Sequence, residues 1–391
     1  MITVPYDAFT IDTNTIIHGG MDFEAGLLGQ LDQFKEGPVK FVISEVVVRE
    51  TLKHLQAHTK KTRDAALSSL HKAVGVGVIS AEAATAAKEA FVDSREVARE
   101  AVAAFLEATD AEVVPANLAN MDGLLKAYFE PTAPFEASGE KKSEFPDAIA
   151  LLSLEEWARS SGRTILAASS DKGWKAFAGK SPQIFVEVDL ADALQIVQDD
   201  TNVAAVAINS LLRRMTDNDL PDLKSSFSER LRNALLSSNF EVEASSYLRY
   251  EVDTSELILD RFSFVEQGDG FSVTVVRLEA EETVIQVEVD IVATAEVDFS
   301  LYAWDSFDRE EIGLGTTSAS KEETFSASVL ITLLGDLSGS LDQLEVEDVE
   351  LVEGLNAVNM GEIEMEYDRD DDDGSLDDYD QLQLALIATA V

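Results

Sequence analysis

Short apolar runs alternate with longer amphipathic stretches over the first 200 residues, a pattern typical of a parallel sheet with crossover helices. The predicted strands are residues 9–11, 39–43, 112–114, 163–168 and 184–188. The predicted helices are residues 45–74, 81–108 and 146–160, and we expect the second stretch to be broken into two helices. Five short strands with helices between them predict a three-layer α/β/α sandwich with a central parallel sheet over residues 1–190.

The pattern changes after residue 190. Residues 191–236 predict a helical connector, interrupted where Pro221 follows Leu220. From about residue 240 polar and apolar residues alternate, most clearly in 271–277, 283–289, 293–301 and 323–333. This alternation, with turn residues between the runs, predicts an antiparallel β-rich domain over residues 237–391. Within it, residues 367–380 form a low-complexity acidic segment that we expect to be a loop.

Composition removes several classes of site. The chain has no cysteine, which excludes disulfides, thiolate zinc sites and iron–sulfur clusters, and its four histidines leave few ligands for a multi-histidine metal centre. The longest uncharged stretches, 201–212 and 324–335, have 12 residues each and are too short to cross a bilayer. The N-terminus has Asp7 and no basic residues of a signal peptide. We therefore expect a cytoplasmic protein without membrane association.

The net charge of −44 is unevenly distributed along the chain. Residues 1–200 have 19 basic and 31 acidic residues, whereas residues 201–391 have 11 basic and 43 acidic residues. The second half should repel nucleic acid at long range, because phosphates need cations to neutralise them. For this half a solvated acidic face, solubility in high salt, attraction of a basic partner and occlusion of a basic surface elsewhere all remain open.

Four acidic positions are predicted to meet at one edge of the parallel sheet, where ligands bind in folds of this kind. Asp12 follows the first strand and Asp171 follows the fourth, Asp147 begins a helix, and Glu50 lies in the helix after the second strand, with Glu45 nearer that strand. Such crowding is costly unless a divalent cation offsets the repulsion. Oxygen ligands select Mg²⁺ or Mn²⁺, and the chemistry that this arrangement favours is phosphodiester hydrolysis.

Four short motifs occur in a fixed order along this part of the chain. They are IDTN from residue 11, ISEVVVRE from residue 43, FPDAIA from residue 145 and SSDKGW from residue 169. In this order and spacing they resemble the PIN domain, the fold of VapC-type toxins and of RNA-processing nucleases, over residues 5–190. The insertion between residues 81 and 142 makes this domain longer than the small toxin form, and the acidic C-terminal half lies outside the resemblance.

The resemblance implies a metal-dependent ribonuclease with Mg²⁺ or Mn²⁺ as cofactor. It implies that Asp12, Glu50, Asp147 and Asp171 form the catalytic, metal-binding tetrad, with Glu45 as a further candidate ligand. Asn14 and Ser169 match the polar positions that support the first and fourth carboxylates. A toxin or defence effector, regulated by its own C-terminal domain or by a partner protein, fits this family, and a homodimer is left open.

Binding a polyanion above acidic residues requires cations nearby. The candidate phosphate contacts are Lys53, Lys60, Lys61, Arg63, Lys141, Lys142, Lys172 and Lys175. An ordinary solvated helix face accounts for the first four equally well. The sequence does not distinguish between transfer, ribosomal or messenger RNA and single-stranded DNA as the substrate.

Two other functions compete with a nuclease. In the first, a non-catalytic interaction protein uses the PIN-like domain as a scaffold, and its acidic half mimics or blocks nucleic acid. In the second, the chain is a phosphatase of the haloacid dehalogenase type. The second is excluded by local sequence, because its nucleophile motif needs an aspartate at the position of Asn14. The four separate carboxylates favour the nuclease over the scaffold.

Overall fold

A computed structural model describes residues 6–364, except residues 36, 131, 136–143, 199–200, 269 and 306–309. Lys141, Lys142 and the acidic segment 367–380 lie outside the described residues. The chain divides into two compact units: Met1–Val206 together with Thr274–Ile285, and Ala207–Val273 together with Gln286–Val391. The described residues contain no helix long and apolar enough to cross a membrane.

The first unit alternates strands and helices. Its strands are β1 (Ala8–Ile11), β2 (Lys40–Ser44), β3 (Glu112–Val114), β4 (Ile165–Ala168) and β5 (Ile184–Glu187). Its helices are α1 (Thr13–His18), α2 (Gly26–Gly29), α3 (Glu45–Gly75), α4 (Ala81–Glu89), α5 (Ser94–Ala108), α6 (Met121–Phe129), α7 (Phe145–Ser161), α8 (Lys172–Ala178) and α9 (Leu190–Ile196). Short 3-10 turns occur at Gln30–Phe34 and Ala116–Leu118.

The five strands form a parallel sheet in the order β3-β2-β1-β4-β5. In the centre β1 pairs with β4, and Ile11 lies opposite Ala168 at the carboxyl ends of the two strands. All four residues of β1 and all four of β4 are buried. Central parallel strands are covered on both faces, so they appear in the sequence as continuous apolar runs. The predicted α/β domain is confirmed.

Local sequence explains where the main helices begin and end. Asp12, Ser44 and Asp171 are N-caps whose side chains accept backbone N–H groups of the following turn. Pro146 lies in the first turn of α7, and Gly162 ends that helix in the left-handed conformation (φ 67°). These caps fix the directions in which α1, α3, α7 and α8 leave the edge of the sheet.

The second unit consists of helices, long antiparallel strands and a short parallel pair formed by its first and last strands. Its helices are α10 (Thr201–Thr216), which begins in the first unit, and α11 (Pro221–Leu236). The strands from here to the end of the described chain are β6 (Glu241–Ser245), β7 (Arg249–Phe264), β8 (Glu266–Gln267), β9 (Gly270–Phe271), β10 (Val273–Leu278), β11 (Glu282–Asp305), β12 (Glu310–Leu334), β13 (Glu345–Glu353) and β14 (Ala357–Glu362), with a 3-10 turn at Leu341–Gln343. In this unit β11, β12 and β13 are neighbours in that order, and β7 pairs with β11.

The core of the second unit lies between α11 and the sheet. Phe227 of α11 is fully buried and contacts the rings of Phe262 and Phe264 on β7. The antiparallel β-rich character predicted for this half is confirmed. The segments predicted at 283–289 and 293–301 belong to one strand, β11, because buried residues continue between them.

The hairpin formed by β10 and the beginning of β11 belongs with the first unit, although the sequence pattern placed it in the 237–391 domain. Val275 donates its backbone N–H to Oε1 of Gln195 at 2.9 Å, and Arg277 forms an ion pair with Asp32 at 3.2 Å. The alternation of polar and apolar residues predicts that these residues form a strand. It does not indicate which helices the strand contacts. The division between the units also falls inside α10, after Val206, rather than at residue 190.

Candidate functional site

The site is built at the carboxyl ends of β1 and β4. Asp12 follows β1 and is 2% exposed. Its Oδ1 accepts the backbone N–H of Thr15 at 2.7 Å, and its Oδ2 accepts the hydroxyl of Ser169, which follows β4. Both oxygens of the first carboxylate are therefore held by neighbouring groups of the fold.

Ser169 also connects to the fourth motif. Its Oγ accepts the backbone N–H of Asp171 at 3.1 Å while its hydroxyl donates to Asp12. Oδ1 of Asp171 accepts the N–H groups of Gly173 and Trp174 at 2.7 and 3.1 Å, which caps α8. The serine thus lies between the first and fourth carboxylates, at the position that the resemblance assigned to a supporting residue.

Asp147 lies in the first turn of α7, and the indole Nε1 of Trp174 donates to its Oδ1 at 3.1 Å. The pKa of Asp147 is raised to about 6, mainly by burial; the Trp174 hydrogen bond opposes this shift, and the negative charges of Asp171, Glu50 and Asp12 add to it. Because all three acidic neighbours act on this one carboxyl group, the fold brings the four predicted acids into electrostatic contact.

The carboxylates of Glu50 and Glu45 have different hydrogen-bond and ion-pair partners. Oε2 of Glu50 accepts the hydroxyl of Thr13 at 2.8 Å, which ties α3 to the residue after Asp12. Oε2 of Glu45 accepts the N–H of Ala116 at 2.9 Å, and its Oε1 pairs with Arg49. The hydrogen bond from Ala116 is the main reason that the pKa of Glu45 is lowered. Both oxygens of Glu45 are thus engaged outside the group around Asp147.

A cavity of about 360 Å³ opens beside Asp147 and Asp171. It is lined by Asn14, Pro134, Glu144, Asp147, Ser170, Asp171, Lys172 and Gly173. The sequence did not identify Glu144 as a site residue, although it lies three residues before Asp147 and hence on the same side of the helix start. A side chain in place of Gly173 would meet Asp171 Oδ1 at 2.9 Å, so the backbone passes close to this carboxylate.

The donor chemistry of the site fits a hard divalent cation. Among the described residues, Oδ2 of Asp147, Oδ2 of Asp171 and Oε1 of Glu50 accept no hydrogen bond, so these oxygens are available as ligands. Oxygen-only donors are the ligands that Mg²⁺ and Mn²⁺ prefer. As the side chains stand, no three acidic or histidine residues in the described part of the chain are grouped closely enough to share one ion. Binding would therefore require side-chain rotation or bridging water.

The candidate phosphate-binding residues within the described part of the chain lie on α8, beside the cavity, and on α3. Lys172 lines the cavity, and Lys175 is exposed on the same short helix. Lys53, Lys60 and Lys61 are exposed on α3, whereas Arg63 is partly buried and its Nε has no partner among the described residues. Arg63 is thus the least accessible of the four α3 cations to a ligand in solution.

Comparison with known proteins gives a match to a protein family. No curated protein and no solved structure matches the chain. Residues 10–174 match the family model described as PIN domain, and this segment contains the second half of β1, β2 to β4, the four acidic positions and the start of α8. PIN domains are generally metal-dependent nucleases. With this match and the parallel sheet that presents these carboxylates, residues 10–174 belong to the PIN domain family, and an additional C-terminal region follows them.

Proposed function

We propose that this protein is a divalent-metal-dependent endoribonuclease that hydrolyses phosphodiester bonds at the Asp147 cavity. The observation that supports this most directly is the environment of Asp147, whose pKa is raised by burial and by three other carboxylates. A fold gains no stability from keeping these charges together, so the arrangement is best explained by a cation that offsets them.

The metal, Mg²⁺ or Mn²⁺, would activate a water molecule and stabilise the leaving oxygen. Asp147 and Asp171 are the residues that would hold it at the cavity, with Glu50 and Asp12 contributing negative charge around them. With a pKa of about 6, Asp147 is mostly ionised at neutral pH and is therefore ready to act as a ligand. Lys172, at the rim of the cavity, is placed to neutralise a substrate phosphate.

The test compares wild type with Asp147→Asn and Asp171→Asn on the same single-stranded RNA and DNA, labelled internally, with Mn²⁺, Mg²⁺ or EDTA. We expect internal cuts in RNA that require the metal and fall at least 100-fold in either variant. Asp298→Asn, which changes an exposed acid of the second unit, is the control and should retain full activity. Cleavage that persists in EDTA, or that survives both substitutions, would contradict the proposal, and faster cutting of DNA would change the substrate class.

A biological role as a toxin or defence effector, controlled by the C-terminal half or by a partner protein, is part of the same proposal. It predicts that expression of the chain arrests growth and that Asp147→Asn abolishes the arrest. If wild type and Asp147→Asn affect growth equally, this role is wrong even where the purified protein cuts RNA.

The interaction-protein alternative also has an observation in its favour. On the second unit Asp298 accepts hydroxyl hydrogen bonds from Ser318 and Thr254, at 2.7 and 2.6 Å, and these bonds lower its pKa. Similar exposed bonds join Ser300 to Asp253 and Thr294 to Asp260. The hydroxyl donors to Asp298 keep it negatively charged without neutralising it. Binding of a basic partner by a protein that cuts no nucleic acid would support this alternative.

A further inference from the structure

Three exposed lysines of α3 lie on the same side of the helix as the catalytic candidate Glu50. At about 100° per residue, Glu50, Lys53, Lys60 and Lys61 fall within one sector of about 100° around the helix axis. All three lysines are exposed, whereas Glu50 is partly buried and bonded to Thr13 next to Asp12. We call Lys53, Lys60 and Lys61 the α3 cation face. It begins beside the site and extends away from it.

No acidic residue interrupts the α3 cation face. Residues 51–63 contain four basic residues and no aspartate or glutamate, although the protein has 74 acidic and 30 basic residues in all. Cations grouped in this way on one exposed helix sector form a local positive surface that attracts a polyanion.

We infer that the α3 cation face binds the backbone of a single-stranded RNA and leads the strand away from the cleavage site. This rests on the proposed nuclease function and adds where the substrate lies. Glu50 and Lys61 are eleven residues apart, which corresponds to about 16 Å along a helix, or about five nucleotides at the 3.4 Å spacing of a stacked strand. Asp64 follows on the same sector and marks the end of the positive surface.

Two consequences follow for the substrate. Cleavage requires about five nucleotides on one side of the scissile bond, and shortening that side weakens binding, whereas shortening the other side does not. The contacts are to phosphates, so they contribute affinity and salt dependence with little sequence preference.

The experiment uses the full chain with Asp147→Asn in every protein, so that binding is measured without cleavage. Lys53→Ala/Lys60→Ala/Lys61→Ala is compared with a control, Lys88→Ala/Lys180→Ala/Arg232→Ala, which removes three exposed cations from elsewhere and changes the net charge equally. The probe is a fluorescent 12-nucleotide single-stranded RNA, titrated at several salt concentrations in EDTA. Circular dichroism of each protein verifies that it is folded, and alanine suits these helix positions.

We expect the α3 triple variant to bind at least tenfold more weakly than its parent, and the slope of log K against log salt to become shallower by about 2, because about 0.7 is lost per phosphate contact in single strands. The control should bind as its parent does. Equal losses in both triple variants, or no loss in either, would overturn the inference. Cleavage by the protein with Asp147 intact is assayed separately. If it cuts RNA but the α3 lysines do not affect binding, only the RNA-binding role of the α3 cation face is rejected. If the α3 lysines affect binding but the protein does not cut RNA, only the proposed nuclease activity is rejected.

Discussion

The indole Nε1 of Trp174 donates a hydrogen bond to Oδ1 of Asp147 at 3.1 Å, and Trp174 is itself fully buried. Its backbone N–H is bonded to Asp171 Oδ1. One buried residue therefore fixes the positions of two of the four carboxylates relative to each other. The indole N–H thus gives this buried ring a role in addition to packing.

Removing this donor should misplace Asp147. Trp174→Phe keeps an aromatic ring but loses the N–H, so we expect kcat to fall about tenfold with little change in KM and unfolding stability to fall by about 1–3 kcal/mol. Trp157→Phe is the matched control, because Trp157 is also buried and donates from Nε1, to Glu112 at 2.6 Å, outside the cavity lining. Equal losses of kcat in the two variants would show that the effect is a general loss of packing.

The ionisation of Asp147 should make the stability of the metal-free protein depend on pH. Its pKa is about 6 in the folded state against an ordinary value of 3.8, so the folded state holds a proton more strongly than the unfolded state does. Stability is therefore lost as pH rises from about 4 through 6. Asp147→Asn cannot ionise, and we expect it to be more stable than wild type by up to about 3 kcal/mol at pH 8 and by about half of that at pH 5.

Urea unfolding in EDTA at the two pH values measures this difference, and comparing the two proteins at each pH cancels the titration of all other groups. A variant that is less stable than wild type at pH 8 would show that the Trp174 hydrogen bond outweighs the burial and repulsion of the charge.

Ser169 should contribute more than a typical buried serine. It donates to the buried Asp12 carboxylate and accepts from Asp171 N–H, so Ser169→Ala leaves a buried charged group without one partner. We expect a loss of about 2–3 kcal/mol, since hydrogen bonds to charged groups are stronger than neutral ones. Ser153→Ala is the comparison, because Ser153 is equally buried and bonds neutral groups only, the carbonyl of Ala150 and the hydroxyl of Ser44. It should lose about 1 kcal/mol.

A divalent cation should stabilise the folded protein. At a Mn²⁺ concentration 100 times its Kd, binding adds about 2.7 kcal/mol, which appears as a higher melting temperature. Asp171→Asn and Asp147→Asn should lose most of this response, because each replaces a carboxylate that has a free oxygen at the cavity. Asp298→Asn should respond as wild type does. If the response is the same in all four proteins, the ion binds elsewhere, for example in the acidic C-terminal half.

The sequence by itself determined the elements of the first unit and the order of its acidic motifs. Short apolar runs predicted all five parallel strands, and the two central ones, β1 and β4, are buried throughout because both of their faces are covered. The acidic positions were predicted from the rule that parallel strands end at one edge. The sequence did not reveal β7, whose first half (RYEVDTSE) is mostly exposed and so has few apolar residues, or the nine-residue α6.

Only the tertiary structure decided which groups touch. The contact of Trp174 with Asp147 and that of Glu45 with Ala116 join residues 27 and 71 positions apart, which local periodicity does not encode. The hairpin of β10 belongs with the first unit for the same reason. The spacing of apolar residues indicates which side chains face the interior. Which partner each side chain contacts, and what pKa results, depends on distances that are set by the packing of the whole chain.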